Sequence, residues 1–402
     1  MILKPGGKGM NFEKLTAFMD EMARTRTPGN AIEVYQGGNC VYRYASGYAD
    51  LEAGTPLTGE EFFNFYSCSK ITTVVAGLQL LEKGRFLLTD PLYEYIPQFR
   101  NMMIRREGGE LVRAENPITV RDLFTMSAGF TYDMDSAGFR EAMERTGGKM
   151  DTAEVVRCVA KDPLIYEPGT HWGYSIAHDV LAGLVSVIEG RKFRDYVKEA
   201  IFDPLGIRNC VYHQTREIQE KMAVQYRFVP EGESGAYDIV EDQKGGNAQN
   251  GTFEDVGKAV SAVLGEEYDS GGAGITGSVS EYVKLMAALA NQGLGINGER
   301  ILSKGSVALL KEDQLNAVQK KDFDWKQLTG YSYGLGVRTL VNRALAGSVG
   351  NPGEFGWGGA AGATALADTE AELAFFYVQH TLNPREEYYQ PRLRNVVYAC
   401  LD

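Results

Sequence analysis

The feature that most constrains the fold is the location of the strand-like segments, which occur at both ends of the chain. Near the start, "AIEVYQGGNCVYRYASGYAD" alternates apolar and polar residues on either side of a Gly-Gly turn, as a β-hairpin does. Near the end, "YGLGVRTLV", "GATALADT" and "ELAFFYVQHTL" are again strand-like, whereas helical patterns dominate the middle. We therefore predict an α+β fold in which an antiparallel sheet, built from both termini, is flanked by helices.

The same patterns predict how the 402 residues divide. By length alone, two to three domains are expected, or one large domain with a substantial insertion. We place a sheet lobe at residues 1–95 and 266–402, and an inserted, mainly helical lobe at residues 96–265. The two lobes would form a single catalytic unit with its site in the cleft between them.

The composition excludes several kinds of partner. The net charge of −12 disfavours nucleic acid, because phosphate binding needs a concentrated basic surface. The five cysteines are widely spaced without a C-x-x-C pair, and the four histidines show no ligand spacing. We therefore expect no metal, no cofactor and no disulfide framework, which suits a reducing compartment.

Hydropathy predicts the location of the protein. No run approaches the roughly 20 apolar residues of a membrane span. The opening segment, "MILKPGGKGMNFEKL", lacks the apolar stretch of a secretory signal. We expect a cytoplasmic protein with no membrane partner, and the sequence makes no prediction of the oligomeric state.

The segment "FYSCSK", residues 65–70, contains candidate nucleophiles. Apolar spacing predicts a mostly buried helix from Ser67 to about Lys83, which places Ser67 beside Lys70 and directs Ser69 to the other side. A serine hydroxyl needs a base, and a lysine can serve if burial or neighbouring cations lower its pKa. Taken alone, S-x-x-K is a weak signal, and a capping serine next to an unrelated lysine is the simpler explanation.

A second serine motif competes with this one. "GYSYG" at residues 330–334 matches the G-x-S-x-G pattern of α/β-hydrolases, with Ser332, Asp368 and His380 in the order that this fold uses. That motif needs a helix after the serine, whereas the strand-like "YGLGVRTLV" follows here. Only 70 residues follow Ser332, too few for the rest of a doubly wound sheet. We therefore interpret this segment as the entry to a strand.

Longer segments place "FYSCSK" in a known context. "FYSCSKITTVVAGLQLLEKGRFLLTDPLYEYIPQF" resembles the first active-site segment of the class C β-lactamase-like serine hydrolases, which include D,D-peptidases, family VIII esterases and transacylases. Similar segments follow in the family's order: "ITVRDLFTMSAGF", "IYEPGTHWGYSIAHDVLAGLVSVIEG", "IFDPLGI" and "SGGAGITGSVSEYVKL". The resemblance covers nearly the whole chain from about Ala31 and implies a β-lactamase/transpeptidase-like fold.

The resemblance also implies catalytic roles. Ser67 takes the position of the nucleophile, and Lys70 and Tyr174 take those of the groups that move its proton. Without the family context, Tyr174 would be interpreted as one of many core tyrosines. His178, one turn beyond it, could border the pocket, although a histidine on the helix surface, or one that supports a pocket residue without touching the substrate, is the simpler interpretation.

The segment "WGGAAG" resembles the third active-site element of family VIII esterases. Trp357, Gly358 and Gly359 would then form an edge strand whose small residues let the substrate approach the backbone. By this correspondence, the backbone N–H groups of Ser67 and Ala360 stabilise the negative charge on the carbonyl oxygen. A glycine-rich turn before a strand is the competing local interpretation.

Two departures from the family pattern bear on the substrate. Ile176 replaces an asparagine whose amide contacts the acylamide group of lactams and peptides, and Trp357 replaces a lysine that attracts their carboxylate. Losing the charged contact should weaken such substrates by about 1.5–3 kcal/mol. We therefore expect a carboxylesterase acting on a small-molecule, short-acyl substrate. The alternatives are a β-lactamase or D-amino-acid peptidase, an acyltransferase, or a non-catalytic penicillin-binding sensor.

Overall fold

The structure is a computed structural model that describes residues 10–230, 251–259 and 264–401. Parts of the predicted lobes, at 1–9, 231–250, 260–263 and 402, therefore lie outside the described residues, as do the first nine positions of the opening segment. Within the described ranges, none of the helices is both long enough and apolar enough to cross a bilayer.

Helices are the main regular structure in the middle of the chain. The described residues form thirteen α-helices: α1 Glu13–Thr25, α2 Ser69–Glu82, α3 Val120–Phe124, α4 Ala137–Arg145, α5 Thr152–Val159, α6 Ala177–Glu189, α7 Phe193–Val197, α8 Arg216–Glu220, α9 Val279–Ala290, α10 Lys304–Lys311, α11 Gln319–Asp322, α12 Arg343–Ala346 and α13 Glu386–Tyr398. Short 3₁₀ turns join several of them, of which Tyr66–Cys68 and Lys326–Leu328 border the candidate site.

Strands lie mainly towards the two ends. Those among the described residues are β1 Gly29–Gln36, β2 Asn39–Asp50, β3 Thr55–Pro56, β4 Phe63–Asn64, β5 Met103–Arg105, β6 Leu111–Arg113, β7 Cys210–Val211, β8 Gln225–Pro230, β9 Gly251–Gly257, β10 Thr276–Gly277, β11 Tyr331–Tyr333, β12 Arg338–Leu340, β13 Phe355–Gly358, β14 Thr364–Asp368, β15 Leu373–Gln379 and β16 Thr381–Leu382.

The main sheet combines the two ends of the chain. Its eight strands are arranged in the order β11-β12-β13-β14-β15-β1-β2-β3, and every neighbouring pair is antiparallel. The junction of the two ends is the β1–β15 pair, which runs from Asn30 opposite Gln379 to Gln36 opposite Leu373. The predicted fold class is therefore confirmed, while the exact lobe boundaries stay a prediction.

The strand β15 has a buried side chain on each face of the sheet in alternation. Phe375 and Tyr377 pack on the face that α1 and α13 cover, and Phe376 and Val378 pack on the opposite face with α9 and the inserted helices. The run at residues 373–378 is thus apolar because helices cover both faces, and this accounts for its lack of polar alternation.

The helix α2 lies in the centre of the molecule. Every residue from Ser69 to Leu80 is buried, which explains why its apolar pattern extends around the helix. It begins two residues later than predicted, because Tyr66–Cys68 form a 3₁₀ turn. Gly84 follows its end at a φ of 64°, where a side chain would be strained.

Removing a side chain from the inner face of β15 should destabilise the whole fold. Phe376 is fully buried, with ring centroids of Phe65 and Tyr282 both 4.8 Å away. We expect Phe376→Ala to lower the free energy of unfolding by about 3–5 kcal/mol, measured by urea denaturation. The control Leu345→Ala, at a side chain 63% exposed, should change it by less than about 0.5 kcal/mol. Equal effects of the two substitutions would contradict this description of the core.

Candidate active site

Ser67 lies in the 3₁₀ turn between β4 and α2, at the wall of a cavity. The preceding residue, Tyr66, has a φ of 45°, a left-handed conformation that costs about 1–3 kcal/mol for a residue other than glycine. The Tyr66 hydroxyl donates a hydrogen bond of 2.9 Å to Gln225. This strained turn holds Ser67 partly exposed at the start of an otherwise buried helix.

Lys70 is fully buried one turn along from Ser67. Its Nζ donates hydrogen bonds to Ser67 Oγ at 3.2 Å, to the Tyr132 hydroxyl at 3.0 Å and to the Gly272 carbonyl at 2.7 Å. Three acceptors match the three hydrogens of an ammonium group. Ser69 is directed elsewhere, as predicted, because its Oγ accepts the Ile275 N–H at 3.0 Å.

The role of base predicted for Lys70 from the sequence requires a lowered pKa, whereas its surroundings in the structure raise that pKa. Burial alone would lower its pKa, but the surrounding Tyr132, Tyr174 and Asp179 raise it above the ordinary lysine value. These neighbours therefore favour the ammonium form of Lys70. In this state the lysine can donate hydrogen bonds and balance negative charge.

Two tyrosines border the ammonium group. Its Nζ lies 4.7 Å from the ring centroid of Tyr174, whose hydroxyl accepts a 3.2 Å hydrogen bond from Trp357 Nε1. The ring of Tyr132 stacks on that of Tyr174 with centroids 5.6 Å apart. Burial raises the pKa of Tyr132 to about 12, although the ammonium of Lys70 acts to lower it. The Tyr132 hydroxyl thus binds Lys70 directly, and the ring of Tyr174 lies against the same ammonium group.

Tyr132 was missed by the sequence argument. It follows "TMSAGF" in a loop without periodicity, and the chain has 22 tyrosines, so no signal separates it from the others. The one available signal is the preceding segment, "TMSAGF", whose resemblance to the family suggests a position near the nucleophile. A residue a few positions beyond that segment is a reasonable candidate for such a contact.

Asp179, in the first turn of α6, supports Lys70 indirectly through Gly272. The Asp179 carboxylate accepts hydrogen bonds from Ser270 at 2.7 Å, Tyr268 at 3.0 Å and the Gly272 N–H at 3.3 Å. It therefore fixes the loop whose carbonyl binds Lys70. His178 is fully buried, and burial lowers its pKa to about 3, so it stays neutral and is not a surface residue.

The strand β13 brings the third predicted element to Ser67. It is an inner strand of the sheet, which differs from the expected edge strand. However, β12 pairs only with its first half, Phe355 and Gly356, whereas Trp357 and Gly358 pair with β14 alone. Among the described strands, the second half of β13 therefore has no partner on the β12 side, which accounts for the close approach that the sequence argument assigned to an edge.

Gly359 is required by the closeness of two backbones. A Cβ at this position would lie 2.2 Å from the Phe65 carbonyl oxygen, so only glycine fits. This contact holds the residue after it, Ala360, at the same cavity as Ser67. The two residues proposed to bind the oxyanion are thus brought together by the fold.

The cavity has a volume of about 510 Å³. Its lining residues include three aromatic side chains, which we call the aromatic wall: Tyr174, Trp325 and Trp357. Their ring centroids lie 5.2–5.8 Å apart. Ile176, predicted to contact substrate, is not brought to this cavity, because it is 4% exposed and packs in the core at the start of α6.

Ser332 has none of the partners that a nucleophile needs. It is buried in β11, and its Oγ donates to the Asp313 carboxylate at 2.5 Å. The Asp368 carboxylate instead accepts from Asn351 and Tyr398, and the His380 ring contacts the Val224 carbonyl. No Ser-His-Asp arrangement forms among these residues, which agrees with their rejection from the sequence.

Comparison with known proteins places this site in a family. The family model described as Beta-lactamase matches residues 15–399. Esterase EstB from Burkholderia gladioli is 27% identical over 393 residues, covering 92% of this chain and 90% of that protein. A putative D-alanyl-D-alanine carboxypeptidase from Escherichia coli K12 is 23% identical over 389 residues, covering 90% and 81%.

Solved structures agree with this match. The structure described as EstCE1, a hydrolase with promiscuous acyltransferase activity, superposes with a TM-score of 0.74 at 22% identity, covering 96% of this chain and 98% of that one. A family VIII carboxylesterase superposes with a TM-score of 0.69 at 17% identity over the whole of both chains. The chain therefore belongs to the Beta-lactamase family, and its class is that of a serine hydrolase with the β-lactamase/transpeptidase-like fold.

The contact at Gly359 can be tested by adding one methyl group. We expect Gly359→Ala to push the end of β13 away from Phe65 and to slow labelling by a fluorophosphonate about 10²-fold, as for other displacements of about 1 Å. The control Gly305→Ala meets its nearest atom at 3.7 Å and should label at the normal rate. Normal labelling of Gly359→Ala would mean that β13 does not help to form the site.

Proposed function

We propose that this protein is a carboxylesterase that hydrolyses short-acyl esters through an acyl-enzyme on Ser67. The observation that carries the proposal is the 3.2 Å hydrogen bond between Lys70 Nζ and Ser67 Oγ at a cavity with an aromatic wall. A small-molecule acyl substrate and a cytoplasmic location belong to the same proposal. The free thiols of the five cysteines support that location, since disulfides are rare in the cytosol.

Acylation begins with attack of Ser67 Oγ on the ester carbonyl carbon. The serine proton passes to the phenolate form of Tyr174, whose negative charge is balanced by the ammonium of Lys70. The resulting phenol then gives this proton to the leaving alcohol as the ester C–O bond breaks. In deacylation, water attacks the acyl carbon, its proton passes to Tyr174, and Ser67 regains a proton as its Oγ leaves.

The charge that develops on the carbonyl oxygen needs donors. We assign this role to the backbone N–H groups of Ser67 and Ala360, which is supported by the position of both residues at the cavity. Two such donors stabilise a tetrahedral oxyanion more than a planar carbonyl, so they lower the barrier. Tyr132 acts as a positioning residue, because its hydroxyl binds Lys70 at 3.0 Å.

The substrate preference follows from Trp357 and Ile176, which stand where related lactamases and peptidases have polar residues that contact the substrate. Trp357 presents a ring where a carboxylate would need a cation, and its Nε1 is already bonded to Tyr174. Ile176 presents no amide and is buried in the core. A neutral ester loses nothing at either position, whereas an anionic lactam must shed water from its carboxylate without a replacement. Acyl transfer to an alcohol is an alternative outcome of the same acyl-enzyme, and EstCE1 is a hydrolase with such a promiscuous acyltransferase activity.

The choice of nucleophile can be tested directly. Ser67→Ala should abolish ester turnover, and Ser332→Ala should leave most of it, because only Ser67 has a lysine within hydrogen-bond distance. Mass spectrometry of the wild-type enzyme after fluorophosphonate treatment should locate the adduct on Ser67. An adduct on Ser332 would overturn the proposed mechanism.

The substrate preference can be tested by comparing the turnover of esters with that of a β-lactam. We expect kcat/KM for p-nitrophenyl acetate and butyrate to be well above that for nitrocefin, and Trp357→Lys should shift the ratio towards nitrocefin. Efficient nitrocefin hydrolysis without ester turnover would replace the esterase by a lactamase. Permanent labelling by a fluorescent penicillin, with no turnover of any ester, would indicate a penicillin-binding sensor.

A further inference from the structure

The cavity beside Ser67 contains a carboxylate that the proposed mechanism does not use. Glu386 is the first residue of α13, and its side chain lines the cavity together with the aromatic wall. The carboxylate is held by one described donor, Gln327 Nε2, at 3.0 Å from Oε2. A carboxyl group that lines a cavity with three aromatic rings, and has no role in the proposed reaction, is a candidate for substrate recognition.

The backbone of β13 is shaped to admit this carboxylate. A Cβ at Gly358 would lie 2.6 Å from Gln390 Nε2 and 3.3 Å from Glu386 Oε1. The absence of a side chain at Gly358 therefore allows both residues of α13 to reach the strand next to Trp357. The carboxylate thus lies against the same strand that supplies one ring of the aromatic wall.

The neighbouring cations are committed to other partners. Arg338 lines the cavity, but its NH1 pairs with Glu354 at 2.8 Å, and both side chains are buried. Arg385 pairs with Glu387 at 3.7 Å. Among the described residues, no cation forms an ion pair with Glu386, although the charge of Arg394, which donates a hydrogen bond to the Gln327 carbonyl at 3.0 Å, acts on the carboxylate at longer range.

We propose that the cavity binds esters that carry an ammonium group, with Glu386 as the counter-charge and the aromatic wall as the surface that contacts the cation. The proposal rests on the esterase function and names its substrate class. Aromatic rings attract cations through their negative faces, and a nearby carboxylate adds a direct Coulomb attraction. The same carboxylate repels anionic substrates such as penicillins, in addition to the missing cation at Trp357.

The protonation of Glu386 makes the preference depend on pH. Burial raises the pKa of Glu386 to about 7, while the hydrogen bond from Gln327 acts to lower it. The carboxylate is therefore largely neutral at pH 6 and largely ionised at pH 8, and the attraction for a cation should increase over this range. The other titratable or charged groups around it are Glu387, Arg385, Arg338, Arg394, Tyr389 and Cys68. Burial raises the pKa of the Cys68 thiol, so it stays neutral across this range.

Turnover of a matched pair of thioesters tests the inference. Acetylthiocholine carries a quaternary ammonium at every pH, and 3,3-dimethylbutyl thioacetate is its neutral isostere. We expect the wild-type kcat/KM to favour acetylthiocholine about tenfold at pH 8, with a smaller ratio at pH 6. In Glu386→Gln the ratio should fall towards one and lose its pH dependence. The control Glu217→Gln, which removes an exposed charge paired with Lys221 and away from the cavity lining, should keep both the ratio and its pH dependence.

A binding measurement keeps the inference testable without turnover. All three tryptophans of the chain are close together, with Trp172 and Trp325 5.6 Å apart and Trp357 5.8 Å from Trp325, so intrinsic fluorescence reports on this cavity. Choline should quench it at lower concentration than 3,3-dimethylbutan-1-ol in the wild type, and more effectively at pH 8 than at pH 6.

The possible outcomes separate the two proposals. A complete lack of turnover of the two thioesters and of the p-nitrophenyl esters would overturn the esterase function, and choline binding would then decide the inference alone. Hydrolysis of both at equal kcat/KM, with equal binding of choline and its isostere, would overturn the inference and leave the esterase function in place. If Glu386→Gln does not fold, the pH dependence of wild-type choline binding supports the inference, and its absence contradicts it.

Discussion

The rest of the site depends on the hydrogen bonds that the buried amine of Lys70 makes. Burying a charged amine costs several kcal/mol, and three hydrogen bonds, to Ser67, Tyr132 and the Gly272 carbonyl, offset this cost. Each of these partners comes from a different segment of the chain, so the fold must close around the lysine before the site exists. Asp179 completes the arrangement, because it fixes Gly272 and adds a negative charge nearby.

The sheet supplies the opposite side of the cavity, and it does so through the absence of side chains. Gly359 lets β13 touch the Phe65 backbone, and Gly358 lets α13 reach the same strand. The first contact brings Ala360 to the nucleophile, and the second brings the Glu386 carboxylate to the aromatic wall. One short glycine-containing strand thus connects a proposed oxyanion donor, Ala360, with the group proposed to select the substrate.

Much of this arrangement could be predicted from the sequence. Helical spacing places Lys70 beside Ser67, and the strand-like ends predict the sheet, because these signals are local. The contacts of Tyr132 and Glu386 could not be predicted, since they depend on how a loop and the last helix pack in three dimensions. The charge of Lys70 has the same origin: its pKa is set by groups more than 60 residues away in the chain, and Ile176 proved to be a core residue for a similar reason.

The central claim is that Lys70 and Tyr174 act as one unit in moving the proton of Ser67. The most direct test is the acylation rate, measured by stopped-flow release of p-nitrophenol, for Lys70→Ala, Tyr174→Phe and the double mutant. Each single substitution should slow acylation by at least about 10²-fold. The double mutant should be little slower than either single one, because losing one of two residues that act together already removes most of their joint effect. Losses that multiply in the double mutant, or a single mutant with a near-normal rate, would contradict the account.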